Sequence, residues 1–156
     1  RNTQTHDMRI DLRVRYLTLL MLLVGCGSPV MTLPGGALDG VATAVPSDWS
    51  SVADVKTIQV EFRPQDPYSH NIWGVGIERD LYIATSAKGT RWTPFVAQDP
   101  RVRARVGTAL YDLLAVSVTD AAERARVAEA YGRKYDLEGD DNWVTDALIF
   151  RLDRRN

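Results

Sequence analysis

The chain has a single cysteine, Cys26, so no internal disulfide can form in any compartment. Histidine is nearly as scarce: His6 and His70 are the pair. One cysteine and one histidine in the body of the chain are too few ligands for a zinc site. Asp136, Glu138, Asp140 and Asp141 crowd one loop, but without the spacing of a calcium-binding loop, and a solvated turn is expected there. Excess positive charge is missing too. A net charge of -1 and a pI near 6.1 argue against a nucleic-acid partner. There is no Gly-x-Ser-x-Gly elbow for a serine hydrolase, and Gly74-Val75-Gly76 lacks the third glycine of a dinucleotide fingerprint. No apolar run is long enough to span a bilayer, and no internal repeat is visible.

What remains is enough for one domain. The 156 residues, 45% hydrophobic and 25% charged, can bury a core of ordinary size. Met8 reads as the start, with residues 1–7 an upstream extension. Met8 to Arg15 is a basic segment, followed by the apolar Tyr16 to Gly25, which is the length of a signal peptide's core. Leu23-Val24-Gly25-Cys26 resembles a bacterial lipobox. The resemblance implies cleavage after residue 25, acylation of Cys26 (diacylglycerol and palmitate chains) and anchoring in a lipid bilayer. Gly27 after the cysteine matches the outer-membrane default of Gram-negative lipoproteins, so the expected place is the cell envelope, outer membrane, facing the periplasm. Removing the four arginines and two aspartates of residues 1–25 leaves 15 Lys/Arg against 18 Asp/Glu, so lipid rather than charge would hold the protein.

Residues 26–47 are small, Pro/Gly-rich and nearly uncharged, which suits a flexible tether. The alternative is an extended arm on the domain, with Val30, Met31, Leu33 and Leu38 as apolar anchors. The domain then occupies 48–156. Asp48 or Ser47 caps a short helix, and Ile58, Val60 and Phe62 alternate with Gln59, Glu61 and Arg63 as a half-buried strand. Asn71 to Ile77 and Leu81 to Thr85 form a hairpin, whose Gly74 and Gly76 leave room for a bulge or a close neighbour. Thr90 to Gln98 reads as a short helix with Trp92, Phe95 and Val96 on one side. Arg101 to Val106 alternates fully, Ala109 to Val118 returns, and Ala147 to Leu152 is the last strand. Between them, Asp120 caps a helix to Tyr135 with Glu123 completing a capping-box pair and Val127, Ala128, Tyr131 and Tyr135 as its stripe. Arg101, Arg103 and Arg105 read as a solvated or dimer-facing row paired with Glu61 and Asp112, or as a site for an acidic ligand. Six hairpin-connected strands with three helices make an antiparallel barrel.

The motifs Leu81-Tyr82-Ile83-Ala84-Thr85, Thr90-Arg91-Trp92, Asp99 to Val106 and Val118 to Arg124 resemble those of the split β-barrel superfamily, over roughly residues 48–154. That group includes pyridoxamine 5′-phosphate oxidase, flavin-binding stress proteins and deazaflavin-dependent nitroreductases. The resemblance implies a homodimer holding FMN, with deazaflavin or haem as weaker alternatives. By position, Thr85, Ser86 and Thr90 would give hydroxyls to the phosphate, Lys88 and Arg91 its charge, and Trp73 a face for the ring. Thr90 would stand at a helix start, where free N–H groups favour an anion. Trp92 stands where the oxidase has a basic residue, so its particular activity is not implied. His70 is expected on a surface or turn, with a ligand-facing role as the alternative. Two functions follow: a membrane-anchored flavin-dependent oxidoreductase, or a non-catalytic envelope lipoprotein whose barrel binds a ligand such as haem or serves assembly.

Overall fold

A computed structural model describes residues 28–155, Thr32 excepted. The expected signal peptide and the expected acylation site at Cys26 lie outside the described residues. The described residues contain eight strands: β1 (Val41–Ala42), β2 (Ile58–Phe62), β3 (Tyr68–Ile72), β4 (Gly74–Ile77), β5 (Asp80–Thr85), β6 (Arg101–Val106), β7 (Ala109–Ser117) and β8 (Leu148–Arg154). Among the described residues two α-helices accompany them, α1 (Thr93–Gln98) and α2 (Ala121–Tyr135).

The sheet runs β3-β2-β6-β7-β8-β5-β4, antiparallel throughout, with β1 added in parallel to β7. Its two end strands, β3 and β4, are consecutive in the chain with only Trp73 between them. A sheet whose first and last strands are one residue apart has to curl until its edges approach. That is the split barrel expected from the sequence. The count differs from six because β1 adds a strand and Asn71 to Ile77 breaks at Trp73. Past the break, the Gly74 N–H is taken by Tyr135 Oη at 2.9 Å, and a Cβ on Gly74 would meet Ile58 Cδ1 at 2.9 Å. Gly76 is tighter still, with the Trp49 carbonyl oxygen 2.2 Å from where its Cβ would stand.

Both faces of β5 are buried, which is why it alternates Leu81 and Ile83 inward with Tyr82 and Ala84 outward, all apolar. The barrel interior gathers Trp49, Ile58, Val60, Phe62, Leu81, Ile83, Trp92, Leu113 and Leu152. The outer cluster lies under α2: Val75, Tyr82, Val127, Ala128, Tyr131, Val144 and Ile149. Asp120 caps α2 through Oδ1, which accepts the Glu123 N–H at 2.8 Å. Glu123 does not return the bond. Its carboxylate instead takes Arg151 at 2.6 Å and the Tyr82 hydroxyl at 2.9 Å, because those partners face it from the sheet. Asp120→Ala is expected to cost about 1 kcal/mol in urea unfolding.

The segment expected as a tether lies along the domain as an arm from Ser28 onward. Gly35 and Ser69 exchange two backbone hydrogen bonds of 2.9 Å, Val41 pairs with Ala109, and Leu38 is buried. Anchoring is uneven, since Val30, Met31 and Leu33 stay exposed. The three arginines of β6 are all engaged. Arg101 pairs with Asp99, Arg103 with Glu61, and Arg105 holds Ser28 Oγ and the Asp39 carbonyl, each at 2.8 Å. Asp112 stands opposite Arg103 in the β6/β7 register, and its carboxylate lies 3.9 Å from Arg155. An acidic-ligand role for that row is thereby set aside.

Candidate functional site

Thr85 ends β5 on the buried side, and the chain leaves the sheet in a turn from Ser86 to Gly89. The turn closes with a Gly89 N–H to Ser86 O bond of 2.8 Å, and Gly89 has φ +74, a conformation that L side chains rarely adopt. Ser86 Oγ donates to the Gly89 carbonyl at 3.1 Å, and the Thr85 and Thr90 hydroxyls lie 3.2 Å apart. Helix α1 begins at Thr93, later than Thr90. Starting at Thr90 would place Pro94 where its missing N–H has to bond the Thr90 carbonyl. The Thr90 N–H is already accepted by Thr93 Oγ1 at 2.8 Å, so it is not a free donor for an anion.

Opposite the turn stands the end of β3, and between them is an open cleft of about 360 Å³. Trp73, Thr85, Ser86 and Thr90 all line it, together with His70, Trp92 and Trp143. Four of the six expected binding residues therefore converge. Lys88 and Arg91 do not line the cleft. Both are exposed, and Arg91 sets its guanidinium 5.9 Å from the Tyr68 ring centroid. Neither pairs with a carboxylate among the described residues.

Three tryptophans give the cleft its character. Trp92 is buried, stacked on Phe62 at 4.9 Å and 9°. Trp73 stacks on Tyr135 at 4.2 Å and 4°, which leaves its second face for other contacts. Trp143 is 37% exposed, set edge-on to Tyr131 in the turn Trp143–Thr145 after the acidic loop. Its only signal in the sequence is a large aromatic in a polar stretch. That loop itself is exposed, and the described residues contain no group of three acidic, histidine or cysteine side chains placed to hold a metal.

His70 differs most from expectation. It lies within β3, half-buried and lining the cleft, and its Nδ1 is buried with no hydrogen-bond partner. Burial pushes its pKa below the usual 6.5. The folded state therefore binds fewer protons than the unfolded one between the lowered value and 6.5, and stability falls as pH drops through that window. The expected result is a urea midpoint that declines from pH 7.5 towards acid, with a shallower decline in His70→Gln. Parallel declines would remove His70 as their source.

No known family's sequence model matches the chain. No curated protein matches it either. Solved structures do. A conserved hypothetical protein of Mycobacterium tuberculosis superposes with a TM-score of 0.55 and 17% identity, over 74% of this chain and 86% of that one. A Listeria innocua structure provisionally described as pyridoxamine 5′-phosphate oxidase gives 0.53 and 13%, over 68% and 90%. A FAD-binding protein of Mesorhizobium loti gives 0.51 and 12%, over 67% and 85%. At these identities the likeness establishes the split-barrel fold.

Proposed function

We propose that this chain is an envelope lipoprotein whose split barrel binds a flavin, FMN in the first place, and serves as an oxidoreductase. The observation that carries the reading is the convergence of Trp73, Thr85, Ser86 and Thr90 on one cleft. The residues suit the group: apolar aromatic surfaces for a flat ring, hydroxyls at one end, and His70 among the lining side chains. The volume lies within the range of small-molecule sites. Trp73 and Trp143 would orient the ring, and Thr85, Ser86 and Thr90 would hydrogen-bond the ligand. Lys88 and Arg91 are the solvated cations available to an anionic tail leaving the cleft. When bound, a flavin supplies reversible hydride or single-electron transfer. The chain's own part is to bind, orient and shield it. Acylation of Cys26 would fix the domain at the outer membrane facing the periplasm, and the family resemblance favours a homodimer.

The test is colour and quenching. The purified full chain is expected to bind FMN at roughly tens of micromolar or tighter, with tryptophan fluorescence lost on titration. No quenching in that range overturns the flavin reading. Arg91→Ala should weaken FMN by about 0.5–1 kcal/mol while leaving riboflavin, which has no phosphate, unchanged. Equal affinities in the variant and the native chain remove Arg91 from the site. A second reading, haem binding without catalysis, is favoured by the one histidine that lines the cleft, His70. It predicts a Soret band that disappears in His70→Ala.

A further inference from the structure

Of the six large hydrophobic residues exposed among the described residues, three fall within four positions of the arm: Val30 at 64%, Met31 at 82% and Leu33 at 68%. Backbone hydrogen bonds hold the two outer ones together. Val30 and Leu33 exchange backbone hydrogen bonds of 3.2 and 2.8 Å, and Met31 adopts a positive φ of 51. The turn is pinned on both sides. Asn71 Nδ2 donates to the Met31 carbonyl at 2.9 Å, Gln59 Nε2 to Pro29 O at 3.3 Å, and Arg105 Nη2 to Ser28 Oγ at 2.8 Å. On the far side, Gly35 is bonded to Ser69. Three apolar side chains are thus held out into solvent, whereas Leu38 of the same arm is buried.

The chain upstream names the occupant. The apolar segment Tyr16 to Gly25 and the lipobox end two residues before Ser28. Two extended residues span about 7 Å at most, which is the depth of a bilayer's interfacial layer. We propose that Val30, Met31 and Leu33 rest in the interfacial layer of a phospholipid bilayer, seating the barrel directly on the membrane. The inference rests on the lipoprotein reading above. It differs from that reading in leaving no free tether. Because the chain from Cys26 on is mildly acidic, the contact is apolar and insensitive to salt.

The experiment uses the full, acylated chain carrying Met31→Cys, labelled with an environment-sensitive fluorophore and bound to zwitterionic phosphatidylcholine–phosphatidylethanolamine vesicles. Acylation blocks Cys26, so only position 31 takes the label. The expected result is blue-shifted emission, quenched by nitroxide-bearing lipid and unchanged in high salt, while a label at Glu138→Cys stays water-like. Protein left in the supernatant overturns both the anchor and this inference. Protein that pellets with a water-like label at position 31 overturns the inference alone. So does blue-shifted emission that nitroxide lipid cannot quench, since another protein surface would then cover the turn.

Discussion

Glu61→Ala is expected to cost about 3 kcal/mol of stability and to release the arm. Glu61 is 3% exposed, and three hydrogen bonds converge on its carboxylate. Arg103 Nε reaches Oε1 at 2.9 Å, Arg103 Nη2 reaches Oε2 at 2.5 Å, and the Leu38 N–H reaches Oε2 at 2.6 Å. Truncation leaves a buried N–H with no acceptor and a guanidinium without its hydrogen-bonded carboxylate. Arg103 is about a third exposed, so water recovers part of its loss and the figure sits at the low end for a broken pair. Glu61→Gln keeps an acceptor for Leu38 and is expected to cost less. Urea unfolding measures the loss, and amide exchange at Leu38 reports the arm. A loss under about 1 kcal/mol, with Leu38 still protected, would mean that other contacts hold the arm.

Glu61 also shows where sequence reasoning stops. Alternation in β2 put Ile58, Val60 and Phe62 inward and assigned Gln59, Glu61 and Arg63 to solvent. The inward set is right. The outer face is covered by a segment more than twenty residues upstream, and no local pattern announces that. The arm's pairings are all of this kind, joining Gly35 to Ser69 and Val41 to Ala109. Elements specified within a few residues were legible. The full alternation of Arg101 to Val106 matches β6, and the Asp120 cap with its apolar stripe matches α2. The break at Trp73 was not visible, because apolar and polar residues continue through it and only Tyr135, far along the chain, takes the freed Gly74 N–H.

The cleft divides the same way. Thr85, Ser86 and Thr90 are neighbours in sequence, and a turn with Gly89 brings them together, so their grouping could be read directly. Lys88 and Arg91 belong to the same stretch but point elsewhere, since the tip of a tight turn faces solvent and Arg91 finds the Tyr68 ring. His70 and Trp143 enter from distant segments and were legible only as scarce or large residues. A basic, hydroxyl-rich loop therefore became a site whose lining is aromatic and uncharged at neutral pH, with its cations outside.

That division predicts opposite behaviour for two tryptophans of the same cleft. Trp92→Ala is expected to lose about 3–5 kcal/mol of stability. Trp92 is 2% exposed, stacked on Phe62 and edge-on to Phe150 at 5.6 Å and 62°, so truncation leaves a cavity inside the barrel. Trp143→Ala removes a ring already 37% exposed and is expected to stay within about 1 kcal/mol of the native chain. Ligand binding should order them the other way. Trp92 supplies one wall whose loss is partly masked by general loosening, while Trp143 can contribute only by covering a bound ring, worth about 0.5–1.5 kcal/mol for an aromatic pair. Urea midpoints and FMN titrations on both variants read the two quantities separately. If Trp143→Ala binds FMN as the native chain does while Trp92→Ala loses binding in proportion to its stability, the cleft is a consequence of packing. If Trp143→Ala keeps its midpoint and loses affinity, the rim is built for a flat ligand.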